Sequence, residues 1–451
     1  MARQNHVLFS IFLMLFIIII PSVPCYGTSQ EDPLKIYGSD DDSPFNNFDD
    51  GGTFHNLIQQ NTQVLSLNRF VKLAVTSPSV SKFNVNDFGA KGDGKSDDTE
   101  AFNKAWQAAC SSGRAIILVV PSNYNYLLKP VRFSGPCNSS ITIQISGTLA
   151  ASEDSSDYAQ DPQHWLMFES VQNLTVQGGG TINGNGDTWW RNSCKKNPSL
   201  PCESAPTAVT FYDCENLIVE NLEIKNAQQI HVNIQESTNV KVSGVTVSAP
   251  EDSPNTDGIH ITNTRYIKIS NSLIATGDDC LSIESGTQNL LATGISCGPG
   301  HGISIGSLGE TGTVELVSGI TVNGAKLSGT TNGVRIKTWP GGEGSASNIK
   351  FQNITMENVT NPIIIDQNYC DQETPCKQEN STVKIRNVLY ENIKGTSASD
   401  VAVSLNCSQS FPCQGIVLQN IDLQDEDGQI PKASCESAIL SYVGSVSPRC
   451  P

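Results

Sequence analysis

The sequence predicts an all-β protein: a single-stranded, right-handed parallel β-helix with one short helix capping its N-terminal end. Three observations predict it. Short β-rich runs of one form recur from about Asn173 to the C-terminus, opened by Asn173, Asn216, Asn239, Tyr266, Asn289, Gly319, Asn348, Asn387 and Gly415. Their separations, 43, 23, 27, 23, 30, 29, 39 and 28 residues, fall in the solenoid range. Turn residues, not helical segments, divide the runs, and this excludes leucine-rich and ankyrin arrays. A β-propeller is the rival, but its blades need about 40–45 residues each and most periods here are shorter. The chain has 451 residues, 38% hydrophobic and 16% charged, enough apolar matter for a core that grows along one axis.

The elements follow in order. Residues 1–27 read as a signal peptide. Arg3 supplies the basic start, and Leu8–Ile20 is an apolar run of 13 residues, shorter than the ~20 that a membrane span needs. A signal anchor is the alternative. No other segment is long and apolar enough to span, so the mature chain is expected to be secreted, with no membrane contact after signal removal. Residues 28–82 form an acidic N-terminal extension; Glu31–Asp50 holds seven acids and one lysine. A propeptide, a loose arm and a first coil of the fold are all open for it. The β-helix domain is assigned to 83–451. Near its start, Asp97 and Glu100 can form a capping box, and Ala101, Phe102, Ala105, Trp106 and Ala109 then share one helix face. That helix would shield the open end of the solenoid.

Cysteine use agrees with secretion. Of 14 cysteines, Cys25 falls in the signal segment. Spacing suggests the pairs Cys110–Cys137, Cys194–Cys202, Cys280–Cys297, Cys370–Cys376, Cys407–Cys413 and Cys435–Cys450. Cys214 is left over, as a buried inert thiol. No His–Cys spacing supports zinc. Asn-x-Ser/Thr glycosylation sites stand at Asn138, Asn173, Asn353, Asn358, Asn380 and Asn406. The formal net charge of −17 argues against a nucleic-acid partner. A monomer is the default expectation.

In a β-helix, one position repeated on successive coils forms a line, because strands stack about 4.8 Å apart. Four unusual segments obey this rule: Asn255-Thr-Asp-Gly258, Gly277-Asp-Asp-Cys280, Gly300-His-Gly302 and Arg335-Ile-Lys337. Asp257, Asp278, His301 and Arg335 are 21, 23 and 34 residues apart. Singly, each has an ordinary explanation as a turn or a solvated face. Together they would bring three carboxylates, an imidazole and two cations into one groove. Such a set suits acid–base cleavage of a glycosidic bond, in which one carboxyl donates a proton and another activates water. Crowded carboxylates raise one another's pKa, which supplies the acid. Arg335 and Lys337 suit a substrate carboxylate.

On these motifs, together with Phe88-Gly-Ala-Lys-Gly-Asp-Gly94, Gly298-Pro-Gly-His-Gly-Ile-Ser-Ile-Gly306 and Asp366-Gln-Asn-Tyr369, the chain resembles the polygalacturonases of glycoside hydrolase family 28. Plant enzymes of fruit ripening and cell separation are the nearest in kind. The resemblance runs from about Phe83 to Pro451. It implies a pectin-lyase-like solenoid that hydrolyses α-1,4-galacturonosyl bonds of de-esterified pectin with inversion, endo in action, without a metal or other cofactor. It implies Asp278 as general acid, Asp257 and Asp279 as activators of water, and His301 as keeper of the acid's proton. Arg335 and Lys337 would hold the galacturonate carboxylate, with Asn255 and Tyr369 shaping the flanking subsites. Trp189, Trp190 and His164 are expected to be core or rim residues. The substrate would be polygalacturonate in the cell wall or apoplast, and plant polygalacturonase-inhibiting proteins are candidate partners. Adjacent coils would place Asp257 and Asp278 near the ~5 Å spacing of retaining enzymes. A water held jointly by Asp257 and Asp279 reconciles this with inversion. Exo action, a pectate lyase, a rhamnogalacturonan hydrolase and a catalytically silent wall-binding protein are the rivals.

Overall fold

The computed structural model describes residues 80–371, 376–377, 379 and 382–451. The expected signal peptide, the extension up to Ser79 and the Asn380 sequon lie outside the described residues. Among the described residues no helix is long and apolar enough to cross a membrane.

The solenoid has the predicted parallel architecture. One face is an eleven-stranded sheet, running from Val131–Ser134 through Thr207–Tyr212, Val232–Gln235, Ile259–Thr262, Leu281–Ile283, Ile303–Leu308, Asn332–Thr338 and Asn361–Asp366 to Lys432–Glu436. Its neighbours pair in parallel, so Val232, Ile259, Leu281, Ile303, Val334 and Ile363 stand in one column. All six are essentially fully buried. The remaining faces merge into a twenty-stranded sheet, since strands such as Arg265–Ala275 bend through two faces. There Ile267 pairs with Val240, and Ile274 with Val247. Burial of each such side chain contributes about 1.5–3 kcal/mol.

The residues that open the predicted runs are the corners of the coils. Asn173, Asn216, Asn239, Asn289, Asn348 and Asn387 all have φ between 54 and 58°. This left-handed conformation costs most L-residues about 1–2 kcal/mol, and asparagine tolerates it. Their amides form a ladder: Asn216 Nδ2 donates to Asn173 Oδ1 at 3.1 Å, and Asn239 Nδ2 to Asn216 Oδ1 at 3.1 Å. Gly319 replaces asparagine at one corner (φ 70°), where a Cβ would stand 2.8 Å from Asn289 Oδ1. Of the candidate glycosylation sites, Asn173 belongs to this ladder. Asn353 belongs to a second ladder, donating to Asn323 and accepting from Asn392.

The first strand, Ser81–Asn84, begins two residues before the domain boundary drawn from sequence. Ser81 and Lys82 already pair with Ile116 and Ile117. The helix Thr99–Cys110 buries the five predicted residues against the first coils. Its capping box does not form. Asp98, not Asp97, is the N-cap, and its buried carboxylate accepts instead from Lys91 N (2.7 Å) and Gly92 N (3.0 Å), closing that tight turn. Glu100 faces Lys104 at 3.5 Å. Beneath the helix, Phe133, Phe168 and Phe211 stack coil upon coil, and Trp106 of the helix packs tilted on Phe133, with centroids 5.0–5.3 Å apart between neighbours. All six predicted disulfides are present, and Cys214 is free and buried.

Phe168 touches three of these rings' positions at once, since Trp106 also meets it edge-on at 6.1 Å. Phe168→Ala should therefore cost about 3–5 kcal/mol. Urea unfolding followed by tryptophan fluorescence should show an early transition of the N-terminal coils, because solenoid stability is a sum of local terms.

Candidate active site

Asp257, Asp278 and His301 sit on the turns that lead into three successive strands of the eleven-stranded sheet. The backbone fixes their stacking: Gly258 N donates to Asp279 O at 2.9 Å, His301 N to Asp278 O at 2.8 Å, and Cys280 N to Gly302 O at 2.8 Å. Gly277 allows the close approach, since a Cβ there would meet Ser253 O at 1.9 Å. Its N–H donates to Thr256 Oγ1 at 2.9 Å. The Cys280–Cys297 disulfide anchors the residue after Asp279. Beneath Asp257 lies His231, fully buried. Its Nδ1 lies 3.0 Å from Asp257 O, and its Nε2 lies 3.3 Å from Ala227 N and 3.2 Å from Ser248 O. Burial pushes His231 down to about 4, and it is neutral.

The expected line of four is in fact two lines. Arg335 stands inside its strand, in register with Ser304, Ser282 and His260 on the preceding coils. Asp279, only 2% exposed, reaches this second line. Its Oδ1 accepts from Arg335 Nη2 (2.9 Å) and Ser304 Oγ (2.7 Å), and its Oδ2 from Lys337 Nζ (3.2 Å). Arg335 Nε also donates to Ser304 Oγ at 3.0 Å. Both cations assigned from sequence to a substrate carboxylate are thus held by Asp279 as well.

Asp278 Oδ1 meets His301 Nδ1 at 2.8 Å and accepts from Asp279 N at 2.8 Å. Burial pushes Asp278 up, but the His301 contact, the Asp279 N–H and the Lys337 charge together outweigh it and hold the carboxyl below its ordinary range. The same contact raises His301. Burial pushes Asp257 up to about 6, against the pull of His260, whose Nδ1 lies 3.8 Å from Asp257 Oδ2. Glu284, raised by burial, accepts from Ser282 Oγ at 2.9 Å. A cavity of about 480 Å³ gathers these groups with Asn255 and Tyr369. Asn255 is left-handed, φ 55°. Tyr369 packs edge-on against Trp339 at 5.4 Å, beneath Lys337 Nζ at 5.3 Å from the ring centre.

All eight residues singled out from sequence therefore line one cavity. Sequence reasoning missed His260, Glu284, Ser282 and Ser304. The signal was present, because 260, 282, 304 and 335 repeat at coil spacing on the groove face of their strands. Trp190 is buried as expected, and Trp189 packs on Tyr158 at 5.3 Å. His164 lies elsewhere, 2.8 Å from Asp161.

The sequence model of glycosyl hydrolases family 28 matches residues 110–442, a span that holds every residue of this cavity. The chain belongs to glycosyl hydrolases family 28. It is a glycoside hydrolase. This family 28 chain is 55% identical to a polygalacturonase of Malus domestica over 469 residues, covering 100% of both. It is 56% identical to polygalacturonase-2 of Solanum lycopersicum over 376 residues, covering 83% of this chain and 82% of that protein. Among solved structures, an endo-xylogalacturonan hydrolase from Aspergillus tubingensis superimposes with a TM-score of 0.69 at 25% identity, covering 82% of this chain and 100% of that one. A polygalacturonase from Erwinia carotovora gives 0.64 at 23% identity, covering 84% and 99%. Both share the parallel β-helix.

Asp279 neutralises two buried cations, so Asp279→Ala should cost about 3–5 kcal/mol. Adding Arg335→Met and Lys337→Met should recover part of that loss, because no buried charge then lacks a partner. Equilibrium urea unfolding of the three proteins measures both effects.

Proposed function

We propose that the protein is a secreted endo-polygalacturonase that hydrolyses α-1,4-galacturonosyl bonds of de-esterified pectin in the cell wall, with inversion. The observation that carries this reading is the charge balance of the cavity. Asp257, Asp278, Asp279 and Glu284 face His260, His301, Arg335 and Lys337. With the rim pair Asp371 and Lys195, 3.3 Å apart, five acids against five bases give zero net charge when all are ionised. A galacturonate carboxylate that enters brings one negative charge and expels water. The cluster then favours uptake of one proton.

Asp278 is the natural acceptor of that proton. In the free protein it is ionised against a protonated His301. With a uronate carboxylate on Arg335 and Lys337, those cations compensate Asp278 less. Asp278 then takes up that proton and gives it to the leaving glycosidic oxygen, while His301 Nδ1 holds the carboxyl in place. Asp257, with Asp279, orients and deprotonates the attacking water. Arg335 presents its planar fork to the carboxylate, while Asn255 and Tyr369 flank the cleaved bond. The high identity to proteins named polygalacturonase supports the substrate class.

A lyase reading has one observation in its favour. Donor atoms of Asp278, Asp279 and His301 lie within 4.8 Å of one another, as cation ligands would. Both oxygens of Asp279, however, already face Arg335 and Lys337, which oppose a metal ion. Polygalacturonate digested by the secreted protein should release new reducing ends with no ultraviolet absorbance of unsaturated products. Absorbance rising alongside would mean elimination. Proton NMR of the earliest products should show the inverted anomer. Asp278→Asn should fold and be secreted normally yet lose nearly all turnover; substantial activity in it would remove Asp278 from the role of acid.

The pH dependence has a definite sign. Asp257 must be ionised, and its carboxyl is pushed up to about 6, so kcat/KM should fall as pH drops through that value. His301 must be protonated and is raised above 6.5, so kcat/KM should fall again as pH rises beyond it. Initial rates on short oligogalacturonates across the pH range should trace this bell. Calorimetric titration in two buffers of different ionisation enthalpy should show proton uptake on binding.

A further inference from the structure

His260 and Glu284 take no part in the reaction as set out above, yet both line the reacting cavity. A β-helix does not need charge at these positions. The neighbours of His260 in its row are Asn233 and Ser282, both neutral. Two ionisable side chains on a groove floor cost several kcal/mol of desolvation unless they compensate each other or a third group. The arrangement supplies that compensation. His260 Nδ1 is buried without a hydrogen-bond partner and points at Asp257 Oδ2, 3.8 Å away. Its other nitrogen, Nε2, lies 3.2 Å from Thr262 Oγ1. Glu284, just past the next strand Leu281–Ile283, is steadied by Ser282 Oγ at 2.9 Å. The charged groups that act on His260 are Asp257, Glu284 and, more weakly, Asp279; Lys337 acts on Glu284.

We propose that His260 is a positioning residue of the hydrolysis: as an imidazolium it keeps Asp257 ionised and aimed at the attacking water, and Glu284 is the counter-charge that keeps His260 protonated in the groove floor. The inference rests on the assignment of Asp257 to the water. It explains how a carboxyl that burial drives upward stays available as a base in acidic surroundings. At 3.8 Å the contact is an ion pair, not a hydrogen bond.

The test uses the secreted full-length protein on oligogalacturonates of defined length. It compares wild type, His260→Gln, Glu284→Gln and the double variant, each checked for folding by circular dichroism and melting temperature. In His260→Gln the acidic limb of kcat/KM should move to higher pH by about one unit, the effect of losing one opposite charge at this range. On the acid side kcat should fall about tenfold with KM little changed, and the rate should recover above the shifted limb. Glu284→Gln should move the limb the same way by less. In the double variant, Glu284→Gln should add no further upward shift, because it then removes only repulsion of Asp257. An unmoved limb in a folded His260→Gln protein, or a loss of rate equal at every pH, overturns the proposal. If His260→Gln does not fold, Glu284→Gln decides alone, and an unmoved limb in it has the same force. Wild-type turnover and an inactive Asp278→Asn variant separate this outcome from failure of the hydrolase reading itself.

Discussion

Parallel strands stacked in register at about 4.8 Å oblige every coil to turn at the same corners. Everything else in the molecule answers to that constraint. The corners need a left-handed residue on each coil, and asparagine supplies it while bonding to the asparagine of the next coil. Between corners, side chains alternate strictly, so Ile259 and Ile261 fill the core while His260 faces the groove. A coil cannot shift by one residue without exposing its apolar column and burying its polar one. The register that stabilises the core therefore also fixes the row of groove-facing side chains.

The same stacking makes the site electrostatically dense. Two lines of functional groups run along the solenoid, one on the turns before the strands and one within them. Asp279 joins the two, because it alone of the turn acids reaches Arg335, Lys337 and Ser304. Its charge is absorbed by those cations. Asp278 and Asp257 are left to divide the remaining protons with His301 and His260. The protein as a whole carries a formal charge of −17, while the cavity is balanced. In the function we propose, that separation lets an acidic polymer be recognised locally by two cations on an acidic protein, with long-range repulsion screened by salt.

Much was legible in the sequence because the fold is periodic. The separations between runs reappear as strand register: Leu217 to Val240, Val240 to Ile267 and Ile267 to Leu290 repeat the predicted 23, 27 and 23 residues. The disulfide pairs were legible because each joins cysteines close in sequence. The capping box was misread, since the sequence shows which acids precede a helix but not which backbone donors compete for them. Asp98 answers to the Lys91–Gly92 turn, a contact made only after the first coil closes.

The sequence by itself determined the coil period, the corner residues, the apolar columns and the membership of Asp257, Asp278, Asp279, His301, Arg335 and Lys337 in one groove. These depend on spacing, and spacing is written in the chain. Tertiary structure decided which cation meets which carboxylate, that Asp279 holds both, and that His260 and Glu284 join the cluster. Pairing depends on side-chain reach across coils and on burial, which exist only when the coils have stacked and water has left the space between them.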